Sequence, residues 1–289
     1  MTAPAALKAA AQQQATTLGY FWKISRLDGQ VYGFTNINED RSYGGILYKA
    51  ATGFLATNVN KTNNLASDNV NVQGPLGSIN ASDITREDLF EGRLRGATLA
   101  IFKADYNDIA NTIWTFFTGT IGEVTEKGNT FEVEVLALDH KLRQSIGRII
   151  GPLCDAEFTD ARCGLVAGAF TFSGTVTAVT DNATFFDTTT PAITGKAADY
   201  FGAGVLTWTG GANAGLKADI KTFSGGQKFT LYDAMPNDIQ AGDTFDALAG
   251  CRKRRSTDCR DKFDNVVNHR GFPDIPGDKF LIRYAHPGA

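Results

Sequence analysis

Apolar and polar residues alternate along much of this chain, with the period of two that puts every second side chain on one face of a strand. The run FWKISRLDGQVYGF reads as two strands joined at Asp28-Gly29, a dipeptide suited to a tight hairpin turn. Segments 44–58 and 69–80 read as short strands, followed by 97–104, 113–126 and 130–138. The last two alternate on either side of Lys127-Gly128-Asn129, as the arms of a half-buried hairpin do. Helical signals are few. Residues 4–17 are rich in Ala and Gln and predict a short helix closed by Gly19. The stretch SDITREDLF, from Ser82 to Phe90, offers a capped helix start with acids in its first turns. Leu142, Ile146, Ile149 and Ile150 lie at helical spacing, and Gly151-Pro152 stops that helix.

Past this point Thr, Gly and Phe dominate. GTVTAVTD and VLTWTGG alternate, and KFTLYD follows a Gly225-Gly226 turn. The pattern predicts a mainly β protein. An antiparallel, barrel-like domain is expected over 1–150, and a β-rich, cysteine-bearing domain over 151–289, with a strand-rich insert at 164–250 and a loop-rich C-terminal tail. No repeat of fixed period interrupts this plan.

Charge narrows the function classes. The 289 residues carry a net charge of −3, so no global basicity recruits nucleic acid or an acidic membrane. No apolar stretch approaches the length of a membrane-spanning helix, and the N-terminus lacks the pattern of a secretory signal. Without export, reduced or metal-bound cysteines are expected over standing disulfides.

The chain has four cysteines in two pairs, Cys154 and Cys163, then Cys251 and Cys259. Four sulfurs suit one tetrahedral metal site, an iron–sulfur cluster, two disulfides, or ordinary buried thiols. The spacings C-x8-C and C-x7-C match neither zinc knuckles nor the tighter ferredoxin runs. Context adds weight to a shared site. Both pairs flank the insert 164–250, and the ends of a compact module lie close together. Cations at Arg252, Lys253, Arg254, Arg255, Arg260 and Lys262 favour thiolate, the metal-binding form. The tail DNVVNHRGFPDIPGDKF has little regular pattern and needs an anchor that a metal centre would supply.

Other candidates are weaker. Asp139-His140 and Ser145 suggest a capped turn, and no G-x-S-x-G supports a hydrolase. His269, in NHRGFP, is a loop histidine or a replacement ligand; His286 stands outside any motif. The basic run 252–255 reads as a solvated face or thiolate neighbour before a phosphate contact. Gly202, Gly204, Gly210 and Gly211 lack the strand–G-x-G-x-x-G–helix order of a dinucleotide site. Trp22, Trp114 and Trp208 lie in alternating strands, as core or interface residues do.

CDAEFTDARCG, LTWTGGANAGLKADI, MPNDIQAGDTF and GCRKRRSTDCRDKFDNVVNHRGFPDIPG resemble the tail hub proteins of tailed phages and gene transfer agents, and more distantly the lambda-type tail-tip hub protein. ATTLGYFWKISRLDGQVYGFT and FTGTIGEVTEKGNTFEVEVLALDHKLRQSIGR look like that family's first domain. The resemblance implies a structural, non-enzymatic virion protein, assembled in the bacterial cytoplasm into a trimeric ring that closes the tail tube and carries the tip. It implies a 4Fe–4S cluster on Cys154, Cys163, Cys251 and Cys259, with structural zinc as the alternative. The implied partners are further copies of the chain, a distal tail protein, the tape-measure protein's C-terminus and a tip, receptor-binding or central baseplate protein. DNA passes through the lumen of such a tail without sequence-specific binding. A zinc- or disulfide-stabilised binding module and an iron–sulfur redox enzyme are the rival classes; the latter needs a substrate pocket or second cofactor that the sequence does not show.

Overall fold

A computed structural model describes residues 3–50, 55–56, 69–76, 84–137, 147–148 and 150–275. The chain forms two compact units, Met1–Ser145 and Ile146–Ala289. Both are mainly β, and one of the two sheets curls into a half-barrel.

The first unit holds β1 (Leu18–Ser25), β2 (Val31–Thr35), β3 (Arg41–Tyr43), β4 (Ile46–Ala50), β5 (Leu55–Ala56), β6 (Asn69–Pro75), β7 (Thr98–Asp105), β8 (Trp114–Lys127) and β9 (Thr130–Ala137). Among the described residues they form one sheet in the order β3-β4-β2-β1-β7-β8-β9-β6-β5. The hairpin at Asp28-Gly29 is present, with Gly29 at φ 92°. So is the long β8–β9 hairpin, which turns at Gly128 with φ 65°. The strand expected over 44–58 starts two residues late, at Ile46, and β3 precedes it without having been expected. Gly44 and Gly45 both take positive φ and turn β3 into β4. This excursion lays β4 beside β2 in the same direction, a parallel pair within an otherwise antiparallel sheet.

The N-terminal helix α1 is shorter than its composition suggests, running Ala5–Ala11. Gly19 does not close it; Gly19 lies inside β1, where a Cβ would press on Ile37. Two further short helices follow, α2 (Arg86–Phe90) and α3 (Ile109–Thr112). The helix expected over 139–150 lies almost wholly outside the described residues. Helix α2 starts with a capping box. The Asp88 N–H donates to Thr85 Oγ1 at 3.2 Å, and the Thr85 N–H returns a bond to Asp88 Oδ2 at 3.2 Å.

Asp88 has a second task. Arg26, whose side chain is 4% exposed, donates from Nη1 to Asp88 Oδ1 at 2.7 Å and to the Tyr32 hydroxyl at 3.0 Å. Its remaining donors hold Asp28 at the hairpin turn. Burial alone would lower the pKa of the guanidinium, but its bonds to Asp28 and Tyr32 and the field of Asp88 outweigh that and raise it. One buried cation therefore pins the first hairpin to the start of α2. Beneath it lies the core of Trp22, Ile24, Phe34, Leu99, Phe131 and Val133. On the other side of the sheet, Phe21 stacks on Phe102 with centroids 5.1 Å apart, and Tyr48 meets both edge-on.

The second unit contains β10 (Thr171–Thr175), β11 (Ala178–Asp181), β12 (Thr184–Phe186), β13 (Val205–Trp208), β14 (Lys217–Ser224), β15 (Lys228–Leu231) and β16 (Thr244–Leu248). They pair antiparallel in the order β10-β16-β13-β14-β15-β12-β11. A short helix, α4 (Pro191–Thr194), lies between β12 and β13. The core is aromatic: Phe185 stacks on Phe229 at 5.1 Å, with Phe201, Phe223, Trp208 and Phe245 meeting them at tilted or edge-on angles. The first and last strands pair with each other, Thr171 opposite Leu248, and the Ala249 N–H donates to the Phe170 carbonyl at 2.9 Å. The two ends of the insert thus meet, and the four cysteines lie in the segments that lead into and out of it.

Candidate functional site: the four-cysteine base of the second unit

Each cysteine is placed by a different local device. The Cys154 N–H donates to the Lys253 carbonyl at 2.8 Å, which binds the first cysteine segment directly to the second. Cys163 is set by Asp160, whose carboxylate accepts the backbone N–H groups of Glu157 (3.0 Å), Arg162 (2.9 Å) and Cys163 (2.6 Å). Those bonds hold the carboxyl of Asp160 below its usual range, with the bond from Cys163 the largest cause. Cys251 follows Gly250 at the exit of β16. The chain passes here so close to the bend at Gly202 that a Cβ on Gly250 would collide with the Gly202 carbonyl.

Cys259 sits in a π-helical turn, Arg255–Arg260. Its N–H reaches back five residues to the Arg254 carbonyl at 3.1 Å, and the Asp261 N–H does the same to Ser256. π-turns are rare and concentrate at functional sites. The turn is locked by Lys262, whose Nζ donates to the carbonyls of Tyr200 and Gly250, both at 2.5 Å. Lys262 is half-buried, and that burial lowers its pKa.

The four thiols lie within electrostatic reach of one another. Cys259 is buried and its pKa is pushed up to about 11, first by burial and then by the nearby sulfurs of Cys251, Cys154 and Cys163. Cys251 is also raised, chiefly by burial. None of the four is in a disulfide. Two sulfurs accept hydrogen bonds: Arg270 N–H to Cys154 Sγ at 3.4 Å, and Asn265 Nδ2 to Cys163 Sγ at 3.7 Å. Among the described residues, no set of three or more His, Cys, Asp or Glu side chains stands ready as a metal-ligand shell. In kind, the donor set fits a thiolate-bound metal or cluster: four sulfurs from two chain segments, with N–H donors turned toward two of them.

The basic run plays a different part from the one its sequence suggests. Arg252 pairs with Asp199, Arg255 with Asp274 and Arg260 with Asp261, while Lys253 holds the Ala156 carbonyl and Glu157. These cations build the loops, while burial, with neighbouring negative groups, raises Cys251 and Cys259. The tail is tied by other means too. The Phe272 N–H donates to the Gly151 carbonyl at 2.8 Å, and Arg148 bridges Asp155 and the Arg270 carbonyl. Asn265 Nδ2 also donates to the Cys163 carbonyl at 2.8 Å.

Asp160 was legible in principle, since Asp three residues before a cysteine is a turn signal. Asn265 and Lys262 carry no such mark. Among the other candidates, Trp22 and Trp208 are core residues, Gly202 and Gly204 serve close chain approach, and Trp114 is half-buried. His140, Ser145 and His286 lie outside the described residues.

Residues 4–166 match the family described as "Baseplate hub protein, N-terminal attachment domain". The chain belongs to the baseplate hub protein family. Residues 199–279 of this hub protein match a second family, "Phage conserved hypothetical protein BR0599". A solved chain of the "Virion of native gene transfer agent (GTA) particle" is 31% identical to it over 99% of this chain and 97% of that one, with a TM-score of 0.87. No curated protein matches. The hub protein is thus a structural component of a phage-type or gene-transfer-agent virion, as its sequence motifs suggested. No helix among its described residues is long and apolar enough to cross a membrane.

Proposed function

We propose that the hub protein closes a trimeric ring at the end of the tail tube and joins it to the tip, without catalysis, and that Cys154, Cys163, Cys251 and Cys259 hold a 4Fe–4S cluster as a structural cross-link. The observation that carries the cluster is the hydrogen bonding that ties the two cysteine segments together: the Cys154 N–H to the Lys253 carbonyl, and Asn265 to the carbonyls of both Cys163 and Cys259. When bound, the cluster would join the segment before the insert to the segment after it through bonds stronger than any contact now between them. Arg270, Asn265 and Asp160 would fix the cysteines that hold it.

The ring is supported by the sheet of the first unit. Among the described residues that sheet is open, ending in the short strands β3 and β5, and an open sheet edge is normally covered. In this reading the neighbours are a distal tail ring, the end of a tape-measure protein in the lumen, and a central tip protein.

The cluster is tested by anaerobic purification with iron, sulfide and zinc analysis. Iron with sulfide and a brown colour are expected from the native chain. Cys251→Ser should lose the iron and increase hydrogen exchange over 251–275, leaving the first unit unchanged. Full iron in that variant would remove Cys251 from the ligand set; zinc without iron would replace the cluster with a structural zinc site. Particle imaging of the tail end tests the ring, and a symmetry other than threefold would refute it.

A further inference from the structure

His269 is oriented in a way that the cysteine site alone does not explain. Its Nδ1 accepts the Gly271 N–H at 3.2 Å. A backbone N–H can only donate, so Nδ1 must carry the lone pair, and in the neutral ring the proton lies on Nε2. That Nε2 is buried and has no hydrogen-bond partner among the described residues. A buried donor calls for an acceptor, and a group held by the neighbouring cysteines would supply one.

The position of the ring narrows the choice. The next residue, Arg270, turns its N–H onto Cys154 Sγ at 3.4 Å. Gly271 lies between the imidazole and the residue before Cys154: a Cβ there would stand 2.6 Å from both His269 Cε1 and the Leu153 carbonyl carbon. The imidazole edge is therefore packed at the Cys154 side of the four-thiol base. Its tautomer also decides between two roles, because an Nε2 that bears hydrogen has no lone pair to offer a metal.

We propose that His269 is a positioning residue that donates an Nε2–H hydrogen bond to the inorganic group held by the four cysteines, and is not one of its ligands. This rests on the cluster reading above. Donation to a cluster sulfide or a cysteine sulfur stabilises the more negatively charged, reduced state, so the bond raises the reduction potential.

The test uses the full hub protein, purified without oxygen, as the native chain, His269→Leu and His269→Gln. Iron and sulfide content and the spectroelectrochemical midpoint potential are read for each. His269→Leu should keep its iron but shift to a more negative potential. His269→Gln, which restores a donor near the same place, should recover part of that shift. A merely structural role would not produce this split. An iron-loaded His269→Leu with the native potential overturns the inference, and so does loss of iron as complete as in Cys251→Ser, which would make His269 a ligand. A native chain free of iron and sulfide would sink the cluster reading and this one together, whereas an unshifted potential sinks this one alone.

Discussion

Asp88 serves two structures at once, and its removal should cost more than a helix cap. In Asp88→Ala, α2 loses the acceptor for the Thr85 N–H and half of its capping box. Cap removal costs about 1 kcal/mol. Arg26 loses its 2.7 Å partner while its side chain stays 4% exposed. Breaking a fully buried ion pair costs about 3–5 kcal/mol. Asp28, half exposed, still neutralises part of the guanidinium, so about 2 kcal/mol is the appropriate share. The sum is about 3 kcal/mol for the first unit alone. Asp88→Asn keeps an acceptor for the cap but removes the charge, and should lose roughly 2 kcal/mol. Native-state hydrogen exchange of the full chain in rising urea, followed on peptides covering 18–35 and 84–94, separates this unit from the second. A loss of about 1 kcal/mol in Asp88→Ala, with Asp88→Asn near native, would show that Asp88 acts as a cap only and that Arg26 is satisfied without it.

Gly250→Ala should destabilise the second unit by about 2 kcal/mol or more, because the added Cβ meets backbone and not a movable side chain; a calorimetric profile matching the native chain would contradict the close approach. The tie between the tail and residues 148–162 should weaken in acid. The bond from Arg148 is the largest influence on Asp155 and, with the field of Arg162, holds its carboxyl below the usual range. A depressed folded pKa gives stability that is present above the unfolded value, about 4, and lost as pH falls through the folded one. Protection of the amides over 270–275, corrected for intrinsic exchange, should fall as the pH drops below about 4, and unchanged protection there would assign the tail's order to other contacts.

Elements with a strong local signature could be read from the chain. The hairpins at Asp28-Gly29 and Gly128 declare themselves because alternation and turn chemistry agree. Gly44-Gly45 stands at the head of the strand expected over 44–58, and its turn adds β3 before β4, a short strand that no alternation announced. Composition extended the first helix to Gly19, but the approach of Ile37 is a tertiary fact that no local window contains. The cysteine base was legible through motif resemblance, since 87 residues separate its two halves. Apart from Asp160, its supports were not legible. A π-turn has no periodic mark, and Lys262 looks like one more cation in a basic run until it is seen holding two carbonyls.

The bond between Ala249 and Phe170 has an evolutionary consequence. A loop whose entrance and exit are a single bond apart can be lengthened, trimmed or exchanged with little disturbance to what lies beneath. Selection is free to rework the outward module, to suit a new host or a new neighbour, while the sulfur-bearing foundation stays the same.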